Sequence, residues 1–133
     1  MPLDEAREKL ATMKTRCPEK FVSEERIFSH IHPGDRIFIG TGCGEPQYLV
    51  RALINYVQSH PKAFFDAEVL QVWTLGVSPY TGEEFKHNFR HNSFFIGNNT
   101  REAINRGMAD YSPIFFQRFP TCSAAGAYPL MWH

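Results

Sequence analysis

The chain has 133 residues, enough for one domain with a buried core, and 43% of them are apolar, which excludes disorder as the default state. Lys plus Arg number 14 and Asp plus Glu also number 14. That balance excludes a basic footprint for nucleic acid and a polybasic membrane patch, so an anionic ligand has to be held by local groups such as backbone N–H.

Leu3, Ala6, Leu10 and Met13 recur at helical spacing over residues 3–15, with Asp4 and Glu5 early and Lys14 and Arg16 late, the order a helix dipole favours. Pro18 stops that helix. Ser23 is placed to cap a short helix through about Ile31, with Ile27, Phe28 and Ile31 on one face. His32, Pro33, Gly34 and Asp35 form a turn. Residues 36–40 are a short apolar run rich in β-formers and read as a buried strand. A glycine loop follows at 41–46. Leu49, Val50, Leu53, Ile54 and Val57 then keep the helical period to about Ser59, where His60 and Pro61 end it. Residues 67–75 alternate toward a second strand, left through Gly76, Val77, Ser78, Pro79 and Tyr80. Residues 93–97 read as a third strand. Asn98, Asn99 and Thr100 are placed to cap a helix through Arg106 that Gly107 closes. Residues 109–116 resemble a strand-end loop entering a further element. Strands alternating with helices predict an α/β fold.

The amino terminus has no apolar core of a secretory signal, and no apolar run approaches a membrane span. Cys17, Cys43 and Cys122 make no CxxC pair and no even disulfide set. A cytoplasmic protein with no membrane partner and no nucleic-acid partner is expected.

The strand, glycine loop and helix at 36–59 are the strongest local signal. Gly40, Gly42 and Gly44 alternate, so backbone can approach a ligand without Cβ atoms in the way. The helix that follows turns its free N–H groups toward whatever lies over the loop. Pro46 sits near the first helical position, where its missing donor costs nothing. The pattern suits a cradle for an anion or a thioester-bearing arm, and equally a tight strand-to-helix turn. It is neither GxGxxG nor a P-loop. Cys43 lies at the helix start, where a thiol is activated, yet no histidine is tied to it in sequence, so loop filler is the expected role. His30, His32, His87 and His91 lack a third ligand at metal spacing, and loop or helix-surface positions are expected for them. The phenylalanines, Phe94, Phe95, Phe115 and Phe116 among them, are read as core. No carboxylate pair and no Ser-His-Asp set emerges from spacing.

Several ordered strings together resemble the acetyl-CoA hydrolase/transferase family. They are Pro33-Gly34-Asp35-Arg36-Ile37-Phe38-Ile39-Gly40-Thr41-Gly42-Cys43-Gly44-Glu45-Pro46 with Leu49, Val50, Ala52 and Leu53; Gly76-Val77-Ser78-Pro79-Tyr80 after a strand; and Arg101 followed by Asn105-Arg106-Gly107-Met108-Ala109-Asp110-Tyr111-Ser112-Pro113. The resemblance runs over about residues 20–120. It implies the amino-terminal domain of a coenzyme A transferase, an open, mainly parallel sheet flanked by helices in a three-layer-like arrangement, here truncated. It also implies a covalent mechanism in which a glutamate attacks the acyl-CoA thioester and comes to carry CoA itself. In the family that glutamate belongs to the carboxy-terminal domain, so no catalytic residue is expected in this chain, and Glu45 is not taken as the nucleophile. By resemblance, Gly40, Thr41, Gly42, Cys43, Gly44, Glu45 and Pro46 line the cleft, with Ser78, Pro79, Tyr80 and Tyr111 on strand-end loops near it. The implied partners are acyl-CoA, a small carboxylate and the missing carboxy-terminal domain. Coenzyme A enters as substrate, with no tightly bound cofactor and no metal. A homo-oligomer is expected from the surface that the second domain would otherwise cover. Alternatives left open are a non-catalytic CoA-binding module and an oligomerising remnant.

The resemblance stops at Pro120. A domain at 1–120 and a non-family tail at 121–133 are expected. One permitted coding of the tail, read one base out of phase, restores the family pattern, so a frameshift is the expected origin.

Overall fold

A computed structural model describes residues 3–115. The described residues divide into two compact units, 3–30 and 31–115.

The first unit carries helix α1 (Leu3–Arg16), a 3-10 turn at Pro18–Lys20 and helix α2 (Glu24–Phe28). Acidic residues open α1 and Lys14 and Arg16 close it, as the dipole argument predicts, but none of its residues is buried. Its apolar stripe therefore faces outward, with Leu3, Leu10 and Met13 all exposed. Ser23 caps α2 by accepting from the Arg26 N–H at 3.3 Å. The helix ends at Phe28, short of the predicted Ile31, because Ser29 and His30 already turn away.

The second unit is built on four strands: β1 (Arg36–Phe38), β2 (Ala67–Trp73), β3 (Phe89–Phe95) and β4 (Ala109–Tyr111). They lie in the order β1-β2-β3-β4, and every neighbouring pair is parallel. The expected α/β class with a parallel sheet is thus present. The connections are helix α3 (Gln47–Ser59), two 3-10 turns at Pro79–Thr81 and Glu83–Phe85, and helix α4 (Asn98–Asn105). Parallel strands taken in sequence need a crossover between each pair, and right-handed crossovers are the rule for such units. Among the described residues no helix is long and apolar enough to cross a membrane.

The amphipathic spacing of α3 holds at four of its five positions: Val50, Leu53, Ile54 and Val57 are buried, each adding roughly 1.5–3 kcal/mol of apolar transfer, while Leu49 is exposed. The covered sheet face meets the rings of Tyr80 and Phe85, which lie 6.5 and 6.3 Å from Phe89. On the other face Leu70, Val72 and Phe94 form a second buried cluster with Phe38 and Ile114.

Four sequence expectations need correction. The third strand begins at Phe89, four residues before the predicted Ser93, because the polar run Arg90, His91 and Asn92 hid a strand that pairs with Glu68, Val69 and Leu70. His91, expected on a loop or helix surface, is fully buried mid-strand. Phe95 and Phe115, read as core, are exposed at 59% and 77%. Neighbouring residues on a strand point to opposite faces, so Phe94 and Phe95 cannot share one core. Residues 109–111 form a strand rather than a loop. Gly107, at φ 72°, closes α4 as predicted. The expected boundary at 120, the tail at 121–133, Phe116 and Cys122 lie outside the described residues.

Candidate active-site wall at the carboxyl edge of the sheet

In parallel α/β sheets the strand ends hand over to loops along one edge, and ligands bind in the crevice outside the carboxyl ends. Here that edge collects the glycine loop after β1, residues 74–82 after β2 and residues 96–97 after β3.

The chain leaves β1 through Ile39, whose N–H still donates to the Leu70 carbonyl at 2.9 Å. At Gly40 the loop folds back on itself so closely that an added Cβ would lie 2.5 Å from the Gly44 carbonyl oxygen. Gly42 has φ 59°, and residues Gly42–Gly44 make a 3-10 turn. These two glycines are required by contact and by backbone conformation respectively. Thr41 extends the pairing of β1 with β2 by side chain: its hydroxyl donates to the Trp73 carbonyl and accepts from the Trp73 N–H at 2.8 Å. Cys43 is exposed on the turn. Pro46 precedes α3, and its carbonyl accepts from the Val50 N–H.

Glu45 is 8% exposed, and its carboxylate is fully engaged. It accepts from the Gly76 N–H at 2.9 Å, the Leu75 N–H at 3.3 Å and the Gln47 side-chain amide at 2.8 Å. Gln47 in turn accepts from the Val77 N–H at 3.2 Å. The acidic residue of the glycine loop is therefore an anchor for the next strand-end loop. Gly76 lies so tightly against this clamp that a Cβ there would overlap both Gln47 and Glu45.

Behind the loops lies a buried polar stripe. Gln71, Thr74, His91, Ser93 and Thr100 are all fully buried. Gln71 is the hub: its amide nitrogen donates to the Gly40 carbonyl at 3.3 Å, and its oxygen accepts from Tyr80 at 2.7 Å and Thr74 at 2.5 Å. Burial first, and then the Glu45 charge, push the Tyr80 phenol above its usual range, so it stays a neutral donor. His91 sits 5.2 Å from the Tyr80 ring, and neither of its nitrogens meets hydrogen-bond geometry. Burial lowers its pKa to about 4, against a weaker pull from the Val69 backbone and the Asp110 charge.

Of the residues expected at the cleft, Gly40 and Tyr80 are joined through Gln71, and Glu45 ties the 40–46 loop to the backbone of Leu75 and Gly76, just ahead of Ser78 and Pro79. Ser78 and Pro79 lead into the turn, with Ser78 accepting from Thr81. Tyr80 stands behind the wall with its hydroxyl inward. Tyr111, 44% exposed at the end of β4, is not joined to this group; it lines a polar recess with Arg36, Glu68, Arg90, Asn92 and Asp110.

Sequence reasoning missed a recess of about 400 Å3 formed by residues 73–76 and 95–99. Trp73, Leu75 and Phe95 are exposed there, and the Trp73 and Phe95 rings meet edge-on at 5.9 Å. Asn98 and Asn99 bring in the first turn of α4, where backbone N–H groups lack intrahelical acceptors. Asn99 also donates to the Gly76 carbonyl at 2.5 Å. The usable signal was the aromatic residue closing each of two parallel strands. Among the described residues no cluster of three or more His, Cys, Asp or Glu is placed to hold a metal.

Residues 1–130 match the model of the acetyl-CoA hydrolase/transferase N-terminal domain. The chain is 36% identical over 103 residues to 4-hydroxybutyrate coenzyme A transferase of Clostridium kluyveri, covering 77% of this chain and 23% of that protein. It is 33% identical over 118 residues to succinyl-CoA:acetate/propanoyl-CoA:succinate CoA transferase of Fasciola hepatica, covering 89% and 24%. It thus spans about a quarter of the length of these curated relatives. Among solved structures, RipA from Yersinia pestis superposes with a TM-score of 0.62 at 20% identity, over 76% of this chain and 25% of that one. A RipA point mutant reaches 0.66 at 22% identity, over 83% and 27%. These last two likenesses concern the fold, and they agree with the parallel sheet described above. On the match over residues 1–130, the chain belongs to the acetyl-CoA hydrolase/transferase N-terminal domain family.

Proposed function

We propose that this chain is the amino-terminal part of an enzyme that moves CoA between an acyl-CoA and a small carboxylate, with the reactive glutamate on polypeptide outside these 133 residues. In that reaction the glutamate attacks the thioester carbonyl and CoA leaves as thiolate. The thiolate then attacks the glutamyl carbonyl of the anhydride and releases the original acyl group as carboxylate. An acceptor carboxylate attacks the glutamyl-CoA carbonyl and expels CoA, which then attacks the acceptor's carbonyl in the new anhydride and frees the glutamate; in a hydrolase water attacks the glutamyl-CoA thioester and releases CoA and glutamate. The loop at 40–46 and the residues Ser78 and Pro79 form one wall of the thioester cleft, Tyr80 braces it, and Tyr111 stands at the end of the neighbouring strand. Acetate is the simplest acceptor, and the setting is cytoplasmic.

The observation that carries this reading is the engagement of Glu45. A carboxylate that accepts from two backbone amides and one side-chain amide is poorly placed to attack a carbonyl, because attack would leave those donors unpaired in a buried site. The cleft-side carboxylate therefore has a scaffolding role, and the nucleophile has to come from elsewhere. The purified chain, incubated with acetyl-CoA and isotopically labelled acetate, is expected to leave acetyl-CoA unlabelled. Labelled acetyl-CoA formed at a rate above the uncatalysed exchange would refute the reading.

A further inference from the structure

The amino-terminal half of the sheet carries a row of charges that the acyl-transfer reading does not use. Arg36, Glu68 and Arg90 stand directly beside one another on β1, β2 and β3. Asp110 on β4 pairs with Asn92, two residues further along. All four lie on the face that also bears Leu70, because residues two apart on a strand share a face. Arg36 bonds Glu68 at 2.9 Å, and Arg90 bonds Asp110 at 2.5 Å. Asn92 donates to Glu68 at 3.1 Å. The Arg36, Arg90 and Asp110 side chains are 40%, 66% and 44% exposed, and Glu68 23%. Together with Gly34, Asp66 and Ser112 they line a polar recess of about 480 Å3.

Read from β1 to β4 the row is plus, minus, plus, minus. A row of even length with alternating signs becomes its own complement when reversed. We infer that this face is a two-fold interface that takes a second copy of the chain, with the axis parallel to the strands and passing between β2 and β3. Under that operation Glu68 meets the partner's Arg90, and Arg36 meets the partner's Asp110. Each contact is made twice, as an isologous interface demands. Asp110 is offset along its strand by about 6.6 Å, two residues of rise, within the span of an arginine side chain. An axis perpendicular to the strands would set each strand on its own copy and put like charges together, so the charges select the orientation. Four strands at about 4.8 Å spacing give a patch well below the roughly 800 Å2 per partner of a standard interface. The dimer is accordingly weak, salt-sensitive and populated at high protein concentration. This inference does not depend on the acyl-transfer reading.

Two variants separate an interface from a set of internal ion pairs. The double variant Arg90→Glu/Asp110→Arg keeps both internal pairs, one of them reversed, but places like charges at every contact between copies. The double variant Glu68→Arg/Arg90→Glu breaks the internal pairs and keeps every contact between copies attractive. Sedimentation of the full chain at several hundred micromolar is expected to show a dimer whose dissociation constant rises at least tenfold between low salt and 0.5 M NaCl. The first variant is expected to dimerise at least tenfold more weakly with an unchanged circular dichroism spectrum, and the second to dimerise like the parent. A parent that stays monomeric at low salt, or a first variant that associates as the parent does, overturns the inference. If the second variant fails to fold, the first variant and the salt series still decide.

Discussion

Replacing Gln71 with leucine is expected to cost the sheet unit about 3 kcal/mol, the loss associated with stranding more than one buried polar group. The reasoning starts from burial. Gln71 is fully buried, and one side chain satisfies the Gly40 carbonyl, the Tyr80 hydroxyl and the Thr74 hydroxyl at once. Leucine fills similar space but pairs with none of them. Each stranded group costs roughly 1–3 kcal/mol, reduced where two of them find each other. Tyr80→Phe removes a single donor and leaves Gln71 its other partners, so about 1 kcal/mol is expected there. In thermal melts the Gln71 variant should lose about 10 °C or more and the Tyr80 variant a few degrees. Equal losses would mean that Gln71 is not the hub of the stripe. Because Gln71 holds the Gly40 carbonyl, its loss also loosens the glycine loop from behind.

Acid should destabilise the unit through His91. Its folded pKa is about 4 against 6.5 for the free side chain, so between those values the unfolded chain binds the proton and the folded chain does not. Stability from this group is fully present above pH 6.5 and is lost as pH falls toward 4. The whole effect is about 3 kcal/mol, at 1.36 kcal/mol for each pH unit crossed. The physical cause is desolvation, since the charge would have to form in a fully buried site beside the Tyr80 ring. Urea unfolding at pH 7.5, 5.5 and 4.5 checks this against His91→Leu. The variant should lose less stability than the parent over that span, by about 2.5 kcal/mol, because pH 4.5 stops short of the folded pKa. Parallel pH profiles would contradict the assignment.

The parts of the fold that were legible in sequence are those where side-chain period and backbone requirement agree. Val50, Leu53, Ile54 and Val57 announce α3, and Gly42 and Gly107 sit at positive φ where their turns require it. The third strand was obscured because its own middle is polar, so it lacks the continuous apolar run of a buried parallel strand. Arg90, His91 and Asn92 read as a loop until Glu68, Val69 and Leu70 on one side and Ala109 and Asp110 on the other are seen beside them. The glycine loop was recognisable as a close backbone approach, but what it approaches was not. Glu45 reaches amides some thirty residues away, and no local spacing encodes that contact. The recess at Trp73 and Phe95 was illegible for the same reason, since two strand ends twenty-two positions apart become neighbours only through the register of β2 with β3. Pattern thus located the glycine loop, and pairing across strands shows how it is braced.

Titration of the isotopically labelled chain with millimolar acetyl-CoA, followed by amide NMR, asks whether the thioester meets the sheet at its carboxyl edge. Shifts are predicted to concentrate on the amides of 40–46, 74–78 and 97–99. Shifts centred instead on Gly34, Glu68 and Arg90, or no shifts at all, would contradict that placement.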